Sequence, residues 1–290
     1  MTMGILLGFM AALGWGGSDF MARFAAREAG PWRTALYMQL VGFLILSLLL
    51  LFSGGGEALL AHGSRSTIFW GLVVGVLNAM TTVTAYLAFE VGALAIVAPI
   101  CAGYPAIAVL LATLSGEALT PVRVAGVGLT LAGVALTALG PSEPEEASRR
   151  SRLGQGVLWA LSTALTQGLT IWVVGFRLLP EIQSVPTVWV LRVATFAVLC
   201  VAAIPLRRPV APPRGKTAWL ILGMGGLDAL AYAAHTVGLG MEQVSVVSVL
   251  GSLYGAVTGL LGCVLLRERL SRLQGAGFLA ICVALVLLTH

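Results

Sequence analysis

The stretch TALYMQLVGFLILSLLLLFSGGG, residues 34–56, decides the class of this protein because it runs for 23 residues without a charged side chain. About 20 apolar residues are enough for a helix to cross the hydrocarbon core of a bilayer. Comparable runs recur along the whole chain, at 1–18, 66–89, 91–116, 124–142, 153–176, 193–206, 217–241 (around Asp228), 243–266 and 273–290. The sequence therefore predicts an all-α, polytopic membrane protein with ten transmembrane helices.

The overall composition excludes a soluble fold. Of the 290 residues, 58% are hydrophobic and only 10% are charged, whereas a soluble domain has about 25% charged residues. The net charge of +5 is no nucleic-acid signal, since the basic residues lie mainly in loops. We expect a lipid bilayer and a small molecule as partners, and no nucleic acid. The four cysteines fall inside predicted spans without CxxC spacing, which predicts inert buried thiols and no metal site or cofactor.

The distribution of basic residues predicts the orientation. Loops after odd-numbered spans contain 13 of the 17 Lys and Arg residues and the opposite loops contain three, while Arg192 lies in a span. Basic loops stay in the cytoplasm, so both termini are predicted to be extracytoplasmic. No basic region precedes the first apolar run, and a cleaved signal peptide is therefore not expected.

The chain contains an internal repeat. A polar linker at 140–152, GPSEPEEASRRSR, leaves five predicted spans on each side. The dipeptide Ala-Tyr at 85–86 recurs at 231–232, and Tyr104 recurs as Tyr254. Such self-similarity indicates two copies of one structural unit.

We therefore divide the chain into a first five-helix repeat at 1–140, a cytoplasmic linker at 141–153 and a second five-helix repeat at 154–290. Because five is odd, the second copy must cross the membrane in the opposite sense, and the loop arginines of each copy show the bias that its own orientation needs. Inverted repeats are the architecture of secondary transporters, whose substrate site lies between the halves near the midplane.

Local motifs add a family resemblance. Each copy has a short loop with Glu-x-Leu-Thr/Ser, beginning at Glu117 and at Glu268, before its last helix, and span 1 contains GWGGS at 14–18. Together with the five-span copies, these features resemble the EamA type of the drug/metabolite transporter superfamily over essentially the whole chain. The resemblance implies ten helices around a central cavity, a location in a bacterial-type cytoplasmic (inner) membrane, and export of small metabolites. Amino-acid exporters of the YddG-like group are the most similar.

Polar side chains at membrane depth usually face a cavity or another helix. Residues spaced by three or four share one face of a helix. Two sets have this spacing: Asn78, Thr82 and Tyr86 in span 3, and Asp228, Tyr232 and His235 in span 8. We predict that both sets line the cavity. Alternatively, Asp228 is a buried carboxylate, neutral or paired with Arg192, that holds spans 7 and 8 together.

Four further residues are predicted to face the cavity. Pro105 frees backbone groups in span 4, and the neighbouring Tyr104 and its repeat partner Tyr254 are therefore candidates. The alternative for both tyrosines is interhelical packing with the hydroxyl bonded to the backbone. Gln167 in span 6 aligns with Trp15 in span 1, which predicts a polar and an aromatic group facing each other.

Other charged and small residues have structural interpretations. Asp19 precedes Arg23 by four residues, which predicts an ion pair at a helix end near the cytoplasmic interface. Glu117 and Glu268 lie beside loops and are predicted to be capping or topological groups. The glycines repeated every fourth residue at 251–259 predict a close helix-packing face.

These observations favour a secondary transporter that exports small metabolites by alternating access. Amino acids, including aromatic and hydrophobic ones, are the favoured substrates, with Asp228 or His235 available for an ammonium group or a proton. One central carboxylate would also serve an exporter of cationic drugs. Phosphorylated substrates are disfavoured, because Arg192 is the sole basic residue in a predicted span and lies near its external end. The alternatives from another class are a passive channel and a membrane-embedded enzyme, but the three histidines show no catalytic or metal-ligand spacing, and we expect no enzyme.

Overall fold

The protein is described by a computed structural model that covers residues 3–52, 57, 63–116, 120–139, 147–242, 244–268 and 270–288. All regular elements among these residues are helical. The helices form ten spans: span 1, Met3–Ala29; span 2, Pro31–Phe52; span 3, Arg65–Val91; span 4, Leu94–Cys101 and Pro105–Leu114; span 5, Pro121–Leu139; span 6, Ala147–Val173; span 7, Ser184–Ala203; span 8, Lys216–Leu239; span 9, Val244–Ser252 and Tyr254–Leu265; span 10, Arg272–Leu288. Span 6 continues through a π-helical turn, Val174–Leu178, and a short α-helical turn, Leu179–Ile182.

The spans have the dimensions that a bilayer requires. Seven helical stretches among the described residues are long and apolar enough to cross a membrane, and two shorter apolar helices, Leu250–Leu265 and Arg272–Ala284, accompany them. The predicted class, an all-α polytopic membrane protein, is therefore confirmed. Span 6 begins at Ala147, inside the stretch assigned to the linker.

Short connections define where the helices begin and end. Gly30 alone joins spans 1 and 2, with a φ of 84° that favours glycine, and Pro31 then starts span 2. Ser64 caps span 3 by accepting from the backbone N–H of Thr67. A link of one residue is too short for parallel neighbours, so spans 1 and 2 run in opposite directions.

The helix contacts follow a pseudo-twofold pattern. Span 1 packs on span 8 as span 6 packs on span 3, and span 2 packs on span 8 as span 7 packs on span 3. Spans 2 and 7, 4 and 9, and 5 and 10 pack on each other. Exchanging each span with its counterpart in the other half thus reproduces these contacts, which is what an inverted duplication predicts.

The connections segregate to two ends of the helix bundle. Arg33, at the start of span 2, donates to the carbonyl of Ala211 in the connection between spans 7 and 8 (2.9 Å). At the other end, Thr67 of span 3 donates to the carboxylate of Glu181 in the last turn of span 6 (2.6 Å). We call the end with the connections after spans 1, 3, 7 and 9 the basic face and the other end the opposite face.

Span 9 packs closely through the predicted glycine stripe. A Cβ atom on Gly255 would lie 2.2 Å from the Cβ of Ala102 in the break of span 4, and one on Gly251 would lie 2.8 Å from the His235 ring. Both distances are shorter than carbon atoms can approach, so glycine is required at these crossings. The predicted close-packing face is therefore confirmed.

Candidate functional site

A cavity of about 60 Å³ lies among the central parts of the spans. It is lined by Trp15, Asp19, Met38, Gln39, Asn78, Thr81, Thr82, Ala85 and Tyr86 from the first half, and by Thr163, Gln167, Arg192, Asp228, Tyr232 and Tyr254 from the second. Most of these side chains are polar or aromatic, in helices whose other faces are apolar. Both halves therefore contribute to one polar cavity at membrane depth.

Arg192 is the centre of the polar contacts. Its guanidinium forms a salt bridge with Asp228, donates to Oε1 of Gln39 (2.6 Å) and lies 4.5 Å above the centre of the Tyr232 ring. Its side chain is fully buried. The salt bridge compensates the buried carboxylate, as the alternative interpretation of Asp228 requires, and Asp228 nevertheless lines the cavity.

The position of Arg192 in its span differs from the sequence expectation. The predicted span began at 193, which placed Arg192 near the external end. The helix instead runs over Ser184–Ala203, 20 residues, and Arg192 is the ninth. Its charge is therefore near the middle of the membrane, because the uncharged run used for the prediction ended at the arginine itself.

Hydrogen bonds extend from Arg192 through five spans. Gln39 of span 2 donates to Thr82 Oγ1 of span 3 (3.1 Å). The Tyr232 hydroxyl of span 8 donates to Asn78 Oδ1 (3.0 Å) and accepts from Gln167 Nε2 of span 6 (3.3 Å). Such a connected network fixes the side chains of the cavity wall relative to one another.

Asp19 was predicted to pair with Arg23, and this prediction is wrong. Arg23 Nη2 lies 3.0 Å from Glu268 Oε1, whereas Asp19 lines the cavity. Among the residues that the structure describes, Asp19 has no hydrogen-bond or ion-pair partner. The reason is geometric: Glu268 approaches Arg23 from a distant part of the chain, and the two residues four apart in span 1 do not bond.

Trp15 adds a second group without a partner to this wall. Its indole lies beside the Asp228 carboxylate, yet its buried Nε1 makes no hydrogen bond of normal geometry within the described part of the chain. A buried N–H without an acceptor is costly. Trp15 and Asp19 are four residues apart in span 1, so they offer a donor and an acceptor on one face of that helix.

Two predicted residues lie outside the cavity lining. The Tyr104 hydroxyl donates to the carbonyl of Ser248 (2.8 Å), which is the packing alternative. His235 is fully buried, with its ring centre 4.9 Å from that of Trp15, and neither of its nitrogens has a hydrogen bond of normal geometry with a described residue. His235 shares a helical face with Tyr232 but lies one turn nearer the opposite face.

The other eight predicted residues line the cavity: Trp15, Asn78, Thr82, Tyr86, Gln167, Asp228, Tyr232 and Tyr254. Sequence reasoning missed Met38, Gln39, Thr81, Ala85 and Thr163, and assigned Asp19 and Arg192 elsewhere. Two of these had a signal. Gln39 is the one amide in the apolar run 34–56, and Thr163 precedes Gln167 by one helical turn.

A charged cluster ties the two halves together at the basic face. Arg23 donates to the carbonyl of Gly92 (2.9 Å) as well as pairing with Glu268. The other carboxylate oxygen of Glu268 accepts from the backbone N–H of Ala95 (2.7 Å), at the start of span 4. Glu268 therefore caps a helix N-terminus, as predicted, while Glu117 lies outside the described residues.

Buried apolar side chains lie on both sides of the polar cavity. Toward the basic face the cluster includes Phe89, Leu94 and Val97. Toward the opposite face a second cluster includes Leu178 and Leu239. The polar cavity is therefore a small space between two apolar layers.

The comparisons with known proteins assign the family. The EamA-like transporter family matches residues 2–139 and again residues 154–290. The chain belongs to the EamA-like transporter family. Two matches along one chain agree with the duplicated architecture that the helix contacts show. The protein is therefore a polytopic membrane transporter of small molecules.

Solved structures show the same fold. One crystal structure covers 99% of this chain and 97% of its own, with a TM-score of 0.71 and 21% sequence identity. At that identity the likeness establishes the fold alone. No curated protein matches the chain.

Proposed function

We propose that this EamA-like protein is a secondary transporter that exports amino acids across the cytoplasmic membrane by alternating access. The observation that carries the proposal is the presence of opposite charges in one central cavity. Arg192 supplies a guanidinium, and Asp19 and Asp228 supply carboxylates. A zwitterion presents a carboxylate and an ammonium group, and each has a complementary partner here.

The balance of charges argues for a zwitterion over an anion. The cavity lining contains two carboxylates and one guanidinium, and the guanidinium already pairs with Asp228. A phosphate ester would add uncompensated negative charge to this lining, whereas a zwitterion adds no net charge, and burial of unpaired charge is costly. An ammonium group, in contrast, finds Asp19 without a competing partner among the described residues.

Aromatic rings surround these charges. The Trp15 ring centre lies 4.9 Å from that of Tyr232 and 6.0 Å from that of Tyr254, both edge to face. Aromatic walls with a few polar groups are typical of small-molecule sites. They support amino acids with aromatic or hydrophobic side chains as the favoured substrates.

Transport by this cavity requires a change of shape. A volume of about 60 Å³ holds only a few water molecules, so an amino acid needs the halves to separate. The Arg23–Glu268 salt bridge joins span 1 to the connection after span 9, and we propose that it opens when the cavity is exposed to the basic face. Secondary transporters move in this way, by rocking one repeat against the other.

The proposed orientation places the basic face in the cytoplasm and both termini outside. Its support is the charge of the connections, since 13 of the 17 basic residues belong to the loops after odd-numbered spans. Positively charged loops are retained on the cytoplasmic side.

A counterflow assay tests the transport proposal. The purified protein is placed in liposomes loaded with one unlabelled amino acid, and entry of the labelled form is measured over a panel of amino acids, with and without a pH gradient. We expect transient accumulation of aromatic or hydrophobic amino acids. Tyr104→Phe is the matched control that should still transport, and absence of counterflow over the whole panel would refute the substrate class.

Export of cationic drugs is a second candidate, favoured by the unpaired carboxylate of Asp19. The two candidates differ in their need for Arg192. An amino-acid exporter uses the guanidinium for the substrate carboxylate, whereas a monovalent cation uses Asp19 alone. Efflux of a lipophilic cation by an Asp228→Thr/Arg192→Gln double variant, with no amino-acid counterflow by the unaltered protein, would favour the drug exporter.

A further inference from the structure

A groove larger than the polar cavity lies between spans 2 and 7 at the basic face. Its volume is about 470 Å³, within the range of about 300–1,000 Å³ for small-molecule sites. The lining residues are Leu36, Tyr37 and Leu40 of span 2, Phe196, Cys200 and Ala203 of span 7, and Ile204, Arg208 and Val210 after it. Apolar side chains dominate this lining, and Ile204 is 79% exposed. In a membrane, such a groove faces hydrocarbon chains.

The end of the groove at the basic face is held in place by the connection between spans 7 and 8. The Tyr37 hydroxyl donates to the carbonyl of Val210 (2.7 Å), and Arg33 donates to the carbonyl of Ala211 (2.9 Å). The Arg208 guanidinium lies 5.8 Å from the centre of the Trp32 ring. These contacts fix a cation beside the mouth of an apolar groove.

Basic side chains are concentrated at this mouth. Arg207, Arg208, Arg214 and Lys216 occur within ten residues, and no acidic residue lies between Glu181 and Asp228 in the sequence. All four side chains are exposed, and none has an ion-pair partner in the described part of the chain. Juxtamembrane basic residues attract anionic headgroups at about 1 kcal/mol each.

We propose that this groove binds an anionic phospholipid, with one acyl chain between spans 2 and 7 and the phosphate at Arg208. The apolar lining matches an acyl chain, and the uncompensated arginines match a phosphate. A second copy of the protein matches less well, because a twofold contact would bring the same basic cluster of each copy together. A free phosphate ion would leave the apolar groove unfilled.

The lipid also contacts the helices that join the halves of the transporter. Leu36 and Leu40 flank Gln39 in span 2, and Phe196 lies one turn after Arg192 in span 7. These helices carry the Gln39–Arg192 hydrogen bond across the pseudo-twofold axis. If the proposed transport function holds, counterflow should be faster in liposomes that contain phosphatidylglycerol than in phosphatidylcholine alone.

Native mass spectrometry of the detergent-purified protein tests the binding itself. Equal amounts of phosphatidylglycerol and phosphatidylcholine are added, and the lipid retained by the protein is counted. We expect preferential retention of phosphatidylglycerol and a loss of about fivefold in Arg208→Gln, the value that 1 kcal/mol per arginine gives. Arg272→Gln, an exposed arginine of the same face at the start of span 10, is the matched control and should retain the lipid.

Additional measurements distinguish a bound phospholipid from a free phosphate ion or a second copy of the protein. Ala203→Phe fills the groove and should reduce the retention of both lipids, and inorganic phosphate should not displace phosphatidylglycerol. Each of four outcomes would overturn the proposal: equal retention of the two lipids, unchanged lipid retention by Arg208→Gln, displacement of the lipid by phosphate alone, or dimers that contain no lipid. Lipid binding as expected with no counterflow of any amino acid would instead refute only the proposed transport function.

Discussion

The two halves of this transporter share a scaffold and differ in their charges. The helix of span 2 begins at Pro31 and that of span 7 at Ser184, a shift of 153 residues that places Arg192 opposite Gln39. In spans 3 and 8 the repeat shift is 146 residues, which makes Asp228 equivalent to Thr82. In spans 1 and 6 the shift is 152 residues, which makes Ile171 equivalent to Asp19. At each of these three positions one half is charged and the other is not.

Duplication therefore accounts for the shared arrangement of helices and does not account for the charges in the cavity. A symmetric pair of halves would place every charge opposite an identical charge in a small cavity, and like charges at short range repel. Replacing one member of each pair by Gln, Thr or Ile removes that repulsion. It also places opposite charges at different positions in the cavity, which the proposed zwitterionic substrate would need in order to bind in one orientation.

The largest effect is expected when the second half is made to resemble the first at Arg192. Arg192→Gln leaves Asp228 buried without its counter-charge, and such a loss costs about 3–5 kcal/mol. The double variant Arg192→Gln/Asp228→Thr has no buried charge at either position and should recover most of the stability. Thermal unfolding in detergent measures both variants. A single variant as stable as the unaltered protein would show that the salt bridge does not stabilise the fold.

Asp19 gives an intermediate effect on transport without a loss of stability. Asp19→Ile introduces the residue of the equivalent position 171, and it removes a half-buried carboxylate that no described residue pairs with. Counterflow should fall by about tenfold, the loss of one charge-assisted hydrogen bond, while the unfolding temperature stays or rises. Glu28→Gln, which removes a negative charge at the basic face and keeps an oxygen that can accept from the Thr217 hydroxyl, is the control that should keep counterflow. Unchanged counterflow in Asp19→Ile would contradict a role in binding the substrate.

The smallest effects separate the two equivalent tyrosines. Tyr104→Phe removes the hydrogen bond to Ser248, so stability should fall by about 1 kcal/mol with transport retained. Tyr254 lines the cavity, and Tyr254→Phe should raise the KM for transport about fivefold, equivalent to one neutral hydrogen bond, with little loss of stability. Thermal unfolding and counterflow measure the two effects. A loss of transport in Tyr104→Phe together with unchanged transport in Tyr254→Phe would contradict the cavity lining described above.

Much of the site could be predicted from the sequence because helical spacing places residues on one face. Asn78, Thr82 and Tyr86 line the cavity together, as their spacing of four predicts. The same rule fails for His235, which lies one turn from Tyr232 and beyond the end of the cavity. Spacing gives the direction of a side chain and does not give the depth to which the cavity extends.

Partners of charged residues were the least predictable feature. Arg23 pairs with Glu268, 245 positions later, and not with Asp19, four positions before it. A local pair is worth only about 0.2–0.5 kcal/mol on a helix. Contacts that bury a charge are worth more, so the tertiary structure overrides the local preference.

The sequence by itself determined the membrane location, the ten spans and the duplication in opposite orientations. Each of these depends on hydrophobicity summed along a segment or on charges counted in a loop, and such sums do not depend on distant residues. The tertiary structure alone decided that Arg192 contacts Asp228 and Gln39, that Asp19 faces the cavity, and that Glu268 pairs with Arg23 at the basic face. These outcomes depend on the rotation and depth of helices packed against one another, where a shift of one residue turns a side chain by about 100° and changes every partner.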